Sequence, residues 1–404
     1  MANTTLTIDE ITNECLRLAH EKASFLGTVD RQFDASFGDT NGKIGDTLRI
    51  RLPAQYTRRQ GSRVMDVQDA TERKTTLIVA TQDGVDMRFN SREMSLDLTN
   101  FSKQHLQPAM TTLISGVESD VLQGFTKLVY NTAGTAGTPP TDLAAVGAAR
   151  AKLNQALAPK DSNRFIQMDS VTMGGLVNGL KGLFQDSQQI KEQYREGMIG
   201  RTAMADFYEN ERVWTLVNGA DVTGTTDAAA AVTDGGSSVT ISTTVAVADQ
   251  KVGQVFTISG VYDLHPETKT AYANLKQFTI TAIGASVTTI SPTTTLTGAG
   301  KNVGSSTGAT LATTDFNSKT LTFIGLASTS YVQNLMYHKE ACTFATAHLP
   351  LMAASEKCVR REVDGISLRV WQDSDIRNDE LLTRIDLLYG YAALRPEWAC
   401  RITS

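Results

Sequence analysis

Cysteine is scarce in this sequence and never grouped: Cys15, Cys342, Cys358 and Cys400 lie far apart, with no Cys-x-x-Cys. That spacing excludes a disulfide-stapled secreted scaffold and fits free, mostly buried thiols in a reducing compartment. Histidine is nearly as scarce, five among 404 residues, and none stands in a Gly-rich turn. No Gly-x-Ser-x-Gly elbow or catalytic-cysteine signature is present, so a hydrolase would lack its usual nucleophile setting. Long apolar runs are missing too. "MANTTLTIDEITNECLRLAHEK" holds nothing of signal-peptide length, and no later stretch offers the roughly 20 apolar residues of a spanning helix. Positive charge is not in excess: 38 Lys+Arg stand against 43 Asp+Glu, whereas a dedicated nucleic-acid binder is normally basic. The expectation is a protein made in the cytoplasm, free of membranes, not an enzyme, and with no cofactor or metal.

Two motifs invite a sharper chemistry and fail it. "GAGKNVGSSTG" (298–308) lacks the Gly-x4-Gly-Lys-Ser/Thr spacing of a phosphate loop, since Asn302 follows Lys301 and no helix follows. It reads as a Gly-rich turn between strands. His338, Cys342 and His348 would share one face of a single strand. Zinc sites use tighter pairs, such as His-x3-5-His or Cys-x2-4-Cys, so a mixed strand face with Cys342 in the core is the preferred reading.

What is there has a definite order. "TIDE" (7–10) is a capping-box pattern opening a short amphipathic helix with Ile8, Ile11, Cys15 and Leu18 on one face. A strand follows, "TLRIRLPAQY". "TRRQGSRVMDVQDATERK" (57–74) is then charged and nearly without apolar content. A second strand, "TTLIVATQDGVDMRF", completes a hairpin of about 38 residues from Asp46 to Asp83. An isolated hairpin is marginal in water; this one lies flat on its own protein or is ordered by a neighbouring molecule. Arg58, Arg59 and Arg63 sit at its tip near Asp66, Asp69 and Glu72. Such a run is either a solvated face of little energetic weight or an intermolecular contact in which arginine forks meet carboxylates.

Next comes the strongest helical pattern, with Leu98, Phe101 and Leu106 continued by Leu113, Val117, Val121, Phe125 and Leu128. Pro108 kinks it or starts a second helix; from there to Tyr130 the run would span roughly 35 Å at 1.5 Å per residue. Asp142 caps a further helix that Pro159 stops. "RFIQMDS" reads as a strand, followed by Gly-punctuated helical material up to Trp214. From Gly219 to about Ser330 the chain turns to Thr, Ser, Ala, Gly and Val in short alternating runs, and no arginine occurs between Arg212 and Arg360. That pattern indicates a small all-β barrel or sandwich inserted into a host fold. The tail "RIDLLYGYAALRPEWACRI" (384–402) is strand-like, with Leu387, Tyr389 and Tyr391 on one face and Pro396 ending the ladder. Arg395 and Glu397 form its corner, read equally as an internal ion pair or as an intersubunit contact. Ordered this far, the tail is expected to share a core with the N-terminal end.

This order of parts resembles the major capsid protein of tailed bacteriophages, the Hong Kong ninety-seven fold. More narrowly it is similar to the coat proteins of the P-twenty-two-like short-tailed phages, which carry an inserted β-barrel domain. "LLYGYAALRPEWA" (387–399) resembles the family's closing Tyr-Gly…Arg-Pro-Glu-Ala strand, with Trp398 where that family commonly has Ala. "KVGQVFTISGV" (251–261) looks like a strand of its insertion domain, and "DSQQIKEQYREGMIGRTAMADFYENERV" (186–213) like the segment before it.

The resemblance implies an α+β chain divided into an N-terminal arm (1–45), an E-loop hairpin (46–83) and a P domain with a spine helix (84–141). An A domain (142–218), an inserted β domain (219–330) and return strands of the P and A domains (331–404) would follow. It implies a structural protein that self-assembles into pentamers and hexamers of an icosahedral head around double-stranded DNA, held only non-specifically. Scaffolding protein and portal would be assembly partners, with a possible decoration protein; the shell would form in the bacterial cytoplasm and end in the virion. An alternative from the Thr/Ser-rich module is a phage decoration, tail or adhesin-like binding protein.

Overall fold

A computed structural model describes residues 8–32, 47–58, 61, 65, 67, 72–90, 105–179, 201–220, 222–226, 232–240, 249–284, 287–352, 357–363 and 365–404. The chain opens with α1 (Ile8–Lys22), the paired strands β1 (Thr47–Leu52) and β2 (Arg73–Ile78), then β3 (Thr81–Asn90) and the long α2 (Gln107–Leu128). β4 (Thr132–Ala133), α3 (Ala144–Gln155), β5 (Arg164–Met168), α4 (Ser170–Gly179), β6 (Arg201–Thr202), β7 (Ala205–Glu209) and β8 (Trp214–Val217) come next. The Thr/Ser-rich stretch forms β9 (Thr223–Thr225), β10 (Gly236–Thr240), β11 (Val255–Leu264), β12 (Ala271–Ile283), β13 (Val287–Thr294), β14 (Val303–Gly304) and β15 (Thr320–Phe323). β16 (Ser330–His338), β17 (Cys342–Ala347), β18 (Lys357–Val363), β19 (Ile366–Asp375), β20 (Glu380–Ala393) and β21 (Ala399–Thr403) follow. The fold is α+β and rich in strands.

The chain forms two compact units, each built from separated segments. The first takes Met1–Ile50, Thr75–Val121 and Cys342–Leu394. Its sheet runs β17-β20-β19-β18, with β3 also on β20, all antiparallel. β20 is long enough to hold two partners along one edge, β19 on Glu380–Leu387 and β17 on Leu388–Ala393, while β3 pairs with Glu380–Tyr389 along the other. Leu387 and Tyr389 are buried as the alternation predicts, and Tyr391 is half-buried. Arg369 and Asp386, cross-strand partners, form a buried ion pair at 2.5 Å. α1 lays Ile11, Cys15, Leu16, Leu18 and Ala19 against β18 and β19.

In the same unit, "TTLIVATQDGVDMRF" is two strands rather than one. β2 stops at Ile78; Leu77 and Val79 join a small core with Ile50, Ala345, Ala392 and Leu394, and Thr81 opens a strand of the β20 sheet.

The second unit takes Arg51–Lys74, Leu122–Ala341 and Arg395–Ser404. One sheet runs β4-β21-β16-β5-β7-β6, with β8 on β16. β21 lies inside it, parallel to β4 and antiparallel to β16, so the tail is ordered by neighbours on both edges. The expectation that both chain ends share one core is thereby corrected: α1 belongs to one unit and β21 to the other. Residues 201–214, expected to be helical, instead form β6 and β7 and open β8. Ala203 and Met204 take positive φ and turn the chain tightly, so that Phe207 and Tyr208 reach a parallel ladder with β5.

The Thr/Ser-rich stretch forms a second sheet in this unit, β10-β13-β12-β11-β15-β9, with β14 on β11, all antiparallel. Val239, Phe256, Ile258, Phe278, Ile280 and Phe323 are among the residues of its core. Phe256 contacts Phe278 and Phe323 at centroid distances of 5.8 and 5.4 Å. Each buried Phe contributes about 1.5–3 kcal/mol, which lets a stretch so poor in large side chains hold a core.

α2 carries the predicted buried face through Leu113, Val117, Val121 and Phe125; Leu98 and Phe101 lie outside the described residues, as does Thr7 of the capping pattern. Asp142 accepts the Ala144 amide at 2.9 Å ahead of α3. That helix ends at Gln155, short of Pro159, because Leu157 adopts φ +60°.

Candidate assembly interface

The C-terminal corner is built around Trp398. Pro396, without an N–H, opens a 3-10 turn over Pro396–Trp398 between β20 and β21. Trp398 is buried, donates Nε1–H to the Ala156 carbonyl at 3.1 Å and meets His338 edge-on at 5.4 Å. The Arg395 guanidinium lies 4.1 Å from the Trp398 ring centroid; stacking on a partly desolvated indole contributes about 0.5–2 kcal/mol. Glu397 Oε1 lies 3.9 Å from Arg73 Nη2. Within one chain, then, Arg395 and Glu397 do not pair with each other: one stacks, and the other reaches the returning hairpin strand.

On the hairpin, Glu72 faces Arg51 at 3.5 Å. Arg58 is exposed and has no ion-pair partner among the described residues. Arg59, Arg63, Asp66 and Asp69 lie outside the described residues. Tyr56, Met65 and Val67 are exposed at 62%, 79% and 78%, so apolar groups on the charged arm stay in solvent.

Sequence reasoning missed a cleft of about 1170 Å³ in the same unit. The hairpin supplies Tyr56 and Arg73, α3 supplies Lys152 and Gln155, and β11 and β12 supply Asp263 and Lys276. Lys269, Lys301, Arg395 and Trp398 complete the charged wall. Lys276 pairs with Asp263 at 2.8 Å. Burial pushes the Lys152 ammonium below its ordinary range, with Asp263 pulling the other way; burial also lowers Lys269 and Lys301. Only the opposite charges of Asp263 and Lys276, on two strands of one hairpin, hinted at it in sequence.

Behind the cleft's secondary structure sits Arg401, fully buried in β21. Its Nη1 donates to the Gly253 carbonyl at 2.6 Å, and Nη2 to Lys127 O at 3.1 Å and Thr279 Oγ1 at 3.0 Å. The Trp214 ring contacts both this guanidinium and Lys127 Nζ, at 5.6 and 5.4 Å from its centroid. Burial pulls the Arg401 pKa down to about 9.

The metal-like trio is not one strand. His338 ends β16, a 3-10 turn over Lys339–Ala341 intervenes, and Cys342 opens β17. His338 Nε2 meets Asp161 at 3.1 Å, while His348 meets Ser367 and Glu362. No group of three potential ligands capable of holding a metal occurs among the described residues. In the Gly-rich turn Lys301 Nζ donates to Gly308 O and Thr310 Oγ1, which latches the turn. No helix among the described residues is long and apolar enough to cross a membrane.

Against known proteins, the chain matches the family model described as "P22 coat protein - gene protein 5" over residues 23–401. No curated protein matches the sequence. Among solved structures, the chain is similar to one from Mycobacterium phage Che8, at 12% identity and TM-score 0.49, over 94% of this chain and 90% of that one. The capsid of Ralstonia phage GP4 is similar at 8% identity and TM-score 0.49, over 95% and 91%. A virus-like particle from Pyrococcus furiosus is similar at 7% identity and TM-score 0.42, over 98% of each chain. The family match includes the corner and the cleft, and on it the chain belongs to the P22 coat protein family, structural major capsid proteins of tailed phages that form icosahedral shells.

Proposed function

We propose that this chain is the repeating unit of pentamers and hexamers in a phage head that encloses double-stranded DNA. The carrying observation is the family match over residues 23–401. The exposed Tyr56, Met65 and Val67 on a two-stranded arm support it: a hairpin with apolar groups in solvent is stabilised when a neighbour covers them. The arm (46–83) is the E-loop that lies over the adjacent subunit, with Arg58, Arg59 and Arg63 meeting carboxylates there and Asp66, Asp69 and Glu72 meeting cations. Residues 84–141 act as the P domain, 142–218 as the A domain around the ring axes, and 219–330 as the inserted β domain, with 331–404 returning to both.

Assembly takes place in the host cytoplasm with a scaffolding protein and a portal; a decoration protein is a further partner of the finished surface. Many weak contacts per copy, added over a closed shell, give a stable particle. The net charge of −5 suits a container that leaves its DNA loosely held, since every phosphate contact adds affinity. Negative-stain microscopy of the expressed protein with and without scaffold tests this reading. Closed shells, or rings of five and six, are expected; a strictly monomeric species under every assembly condition overturns it.

A further inference from the structure

Among the described residues that line the cleft, six cations (Arg73, Lys152, Lys269, Lys276, Lys301 and Arg395) stand against three carboxylates (Asp263, Glu267 and Glu397). Asp263 is taken by Lys276 and Glu397 faces Arg73. Lys152, Lys269, Lys301 and Arg395 line the same wall, and none has a carboxylate within ion-pair distance among the described residues. Lys269 and Lys301 donate to neutral oxygens, and Arg395 rests on Trp398. Lys152 Nζ has no hydrogen-bond partner among the described residues, and beside it on α3 the buried Gln155 Oε1 has no donor. A concave wall with cations in excess focuses its field on whatever enters. The cleft exceeds the roughly 300–1,000 Å³ of small-molecule sites, which points to a peptide segment that brings carboxylates and an N–H.

One segment of this chain has the complementary form. The stretch joining β19 to β20, "DSDIRNDE" (373–380), places Asp373, Asp375 and Asp379 near a single Arg377, with Glu380 paired to Arg88 at 3.2 Å. It is rigidly made: Asp375 accepts from the Arg377 amide at 2.9 Å and from Asn378 Nδ2 at 2.7 Å, and Asp379 takes φ +52°. Ile376 at its apex is 96% exposed. A pre-organised turn loses little entropy on docking, and the cleft offers Trp398, Leu264 and Pro266 to an apolar side chain.

We infer that the cationic cleft receives the acidic β19–β20 turn of a second copy of this chain, with Lys152 meeting its carboxylates and Ile376 covered. The contact joins two different patches, the heterologous kind that propagates around a ring. The inference rests on the shell-forming role proposed above and names one of its interfaces.

Carbodiimide coupling on shells co-assembled from heavy-isotope and ordinary copies is the test, because it joins amines to carboxylates only where they already touch. Mixed-isotope links between the Lys152 peptide and the 373–380 peptide are expected. Shells in which Lys152 is unlinked, or linked only to other acids, overturn the inference while leaving the shell reading intact. Lys152→Asp and Asp373→Lys should each cut shell yield about tenfold, and together should restore it; unchanged yield from both single variants also overturns it. Failure of the unaltered protein to form any shell overturns both readings.

Discussion

Arg401 Nη1 donates to the Gly253 carbonyl oxygen at 2.6 Å, and the same guanidinium reaches Lys127 O near the C-terminal end of α2. One side chain from β21 thus ties the Gly253 loop before β11 to the helix, with Thr279 of β12 as a third acceptor. Each of these three acceptors is neutral, so among the described residues the cation is held by dipoles and by the Trp214 ring. Removing it leaves the buried Gly253 oxygen without this donor, at about 1–3 kcal/mol, while Lys127 O still accepts from Thr279 Oγ1 at 3.1 Å; no longer burying a charge gives some relief. Arg401→Met is expected to lower stability by about 1–3 kcal/mol, and Arg401→Lys by a comparable amount because an ammonium lacks the fork. Thermal unfolding of the purified monomer measures both, and an unshifted midpoint for Arg401→Met would show that the joint carries no load.

Glu118 does a similar task in the other unit. Fully buried on α2, its carboxylate accepts from Ser24 N at 3.2 Å, Ser24 Oγ at 2.7 Å and Phe25 N at 2.8 Å. The segment after α1 is thereby fixed to the helix. Glu118→Ala leaves two backbone amides without this partner, and about 3 kcal/mol of destabilisation is expected. Faster amide exchange at Ser24 and Phe25 should accompany it, with exchange in the β11–β12 sheet unchanged.

Alkaline pH should unfold this protein through its thiols. Burial raises Cys15 and Cys400 from 9.0 to about 12 each, and pushes Cys342 up as well. Unfolded thiols ionise near 9 while the folded ones stay protonated, so the native state binds more protons above that pH. The stability these thiols contribute is present in full below pH 9 and falls as pH climbs toward 12, by about 1.4 kcal/mol per pH unit for each. Unfolding midpoints between pH 8 and 11 should therefore decline, with a shallower slope in Cys15→Ala; identical slopes would remove Cys15 from the account.

Reversing charge at Arg58, Arg59 and Arg63 together should impair shell formation and leave the monomer folded. Arg58 is exposed and has no ion-pair partner among the described residues, so circular dichroism and the melting midpoint should match the unaltered protein. Normal shells from that variant would place the intersubunit contact elsewhere.

Much of the fold was legible wherever pattern is local. The α2 face from Leu113 to Phe125 repeats at helical spacing, and Leu387 and Tyr389 alternate as a half-buried strand must. The change of composition near Gly219 marked the β11–β12 sheet. What stayed hidden depends on distant segments. Residues 201–214 read as helical because the two positive-φ residues that turn β6 into β7 are Ala203 and Met204, which carry no turn chemistry. Arg401 reads as an ordinary surface arginine, since the three acceptors that surround it stand at 127, 253 and 279. The cleft draws on nine separated stretches between Ala54 and Trp398, and no periodicity announces that Lys152 and Lys301 share a wall.

Cryo-electron microscopy of the assembled product tests the role as a shell subunit most directly. The expected particle is a closed icosahedral shell with this chain in rings of five at the vertices and six between them, the 46–83 arm lying across a neighbour. Open aggregates without five-fold rings, or a chain that stays monomeric with scaffold present, would contradict it.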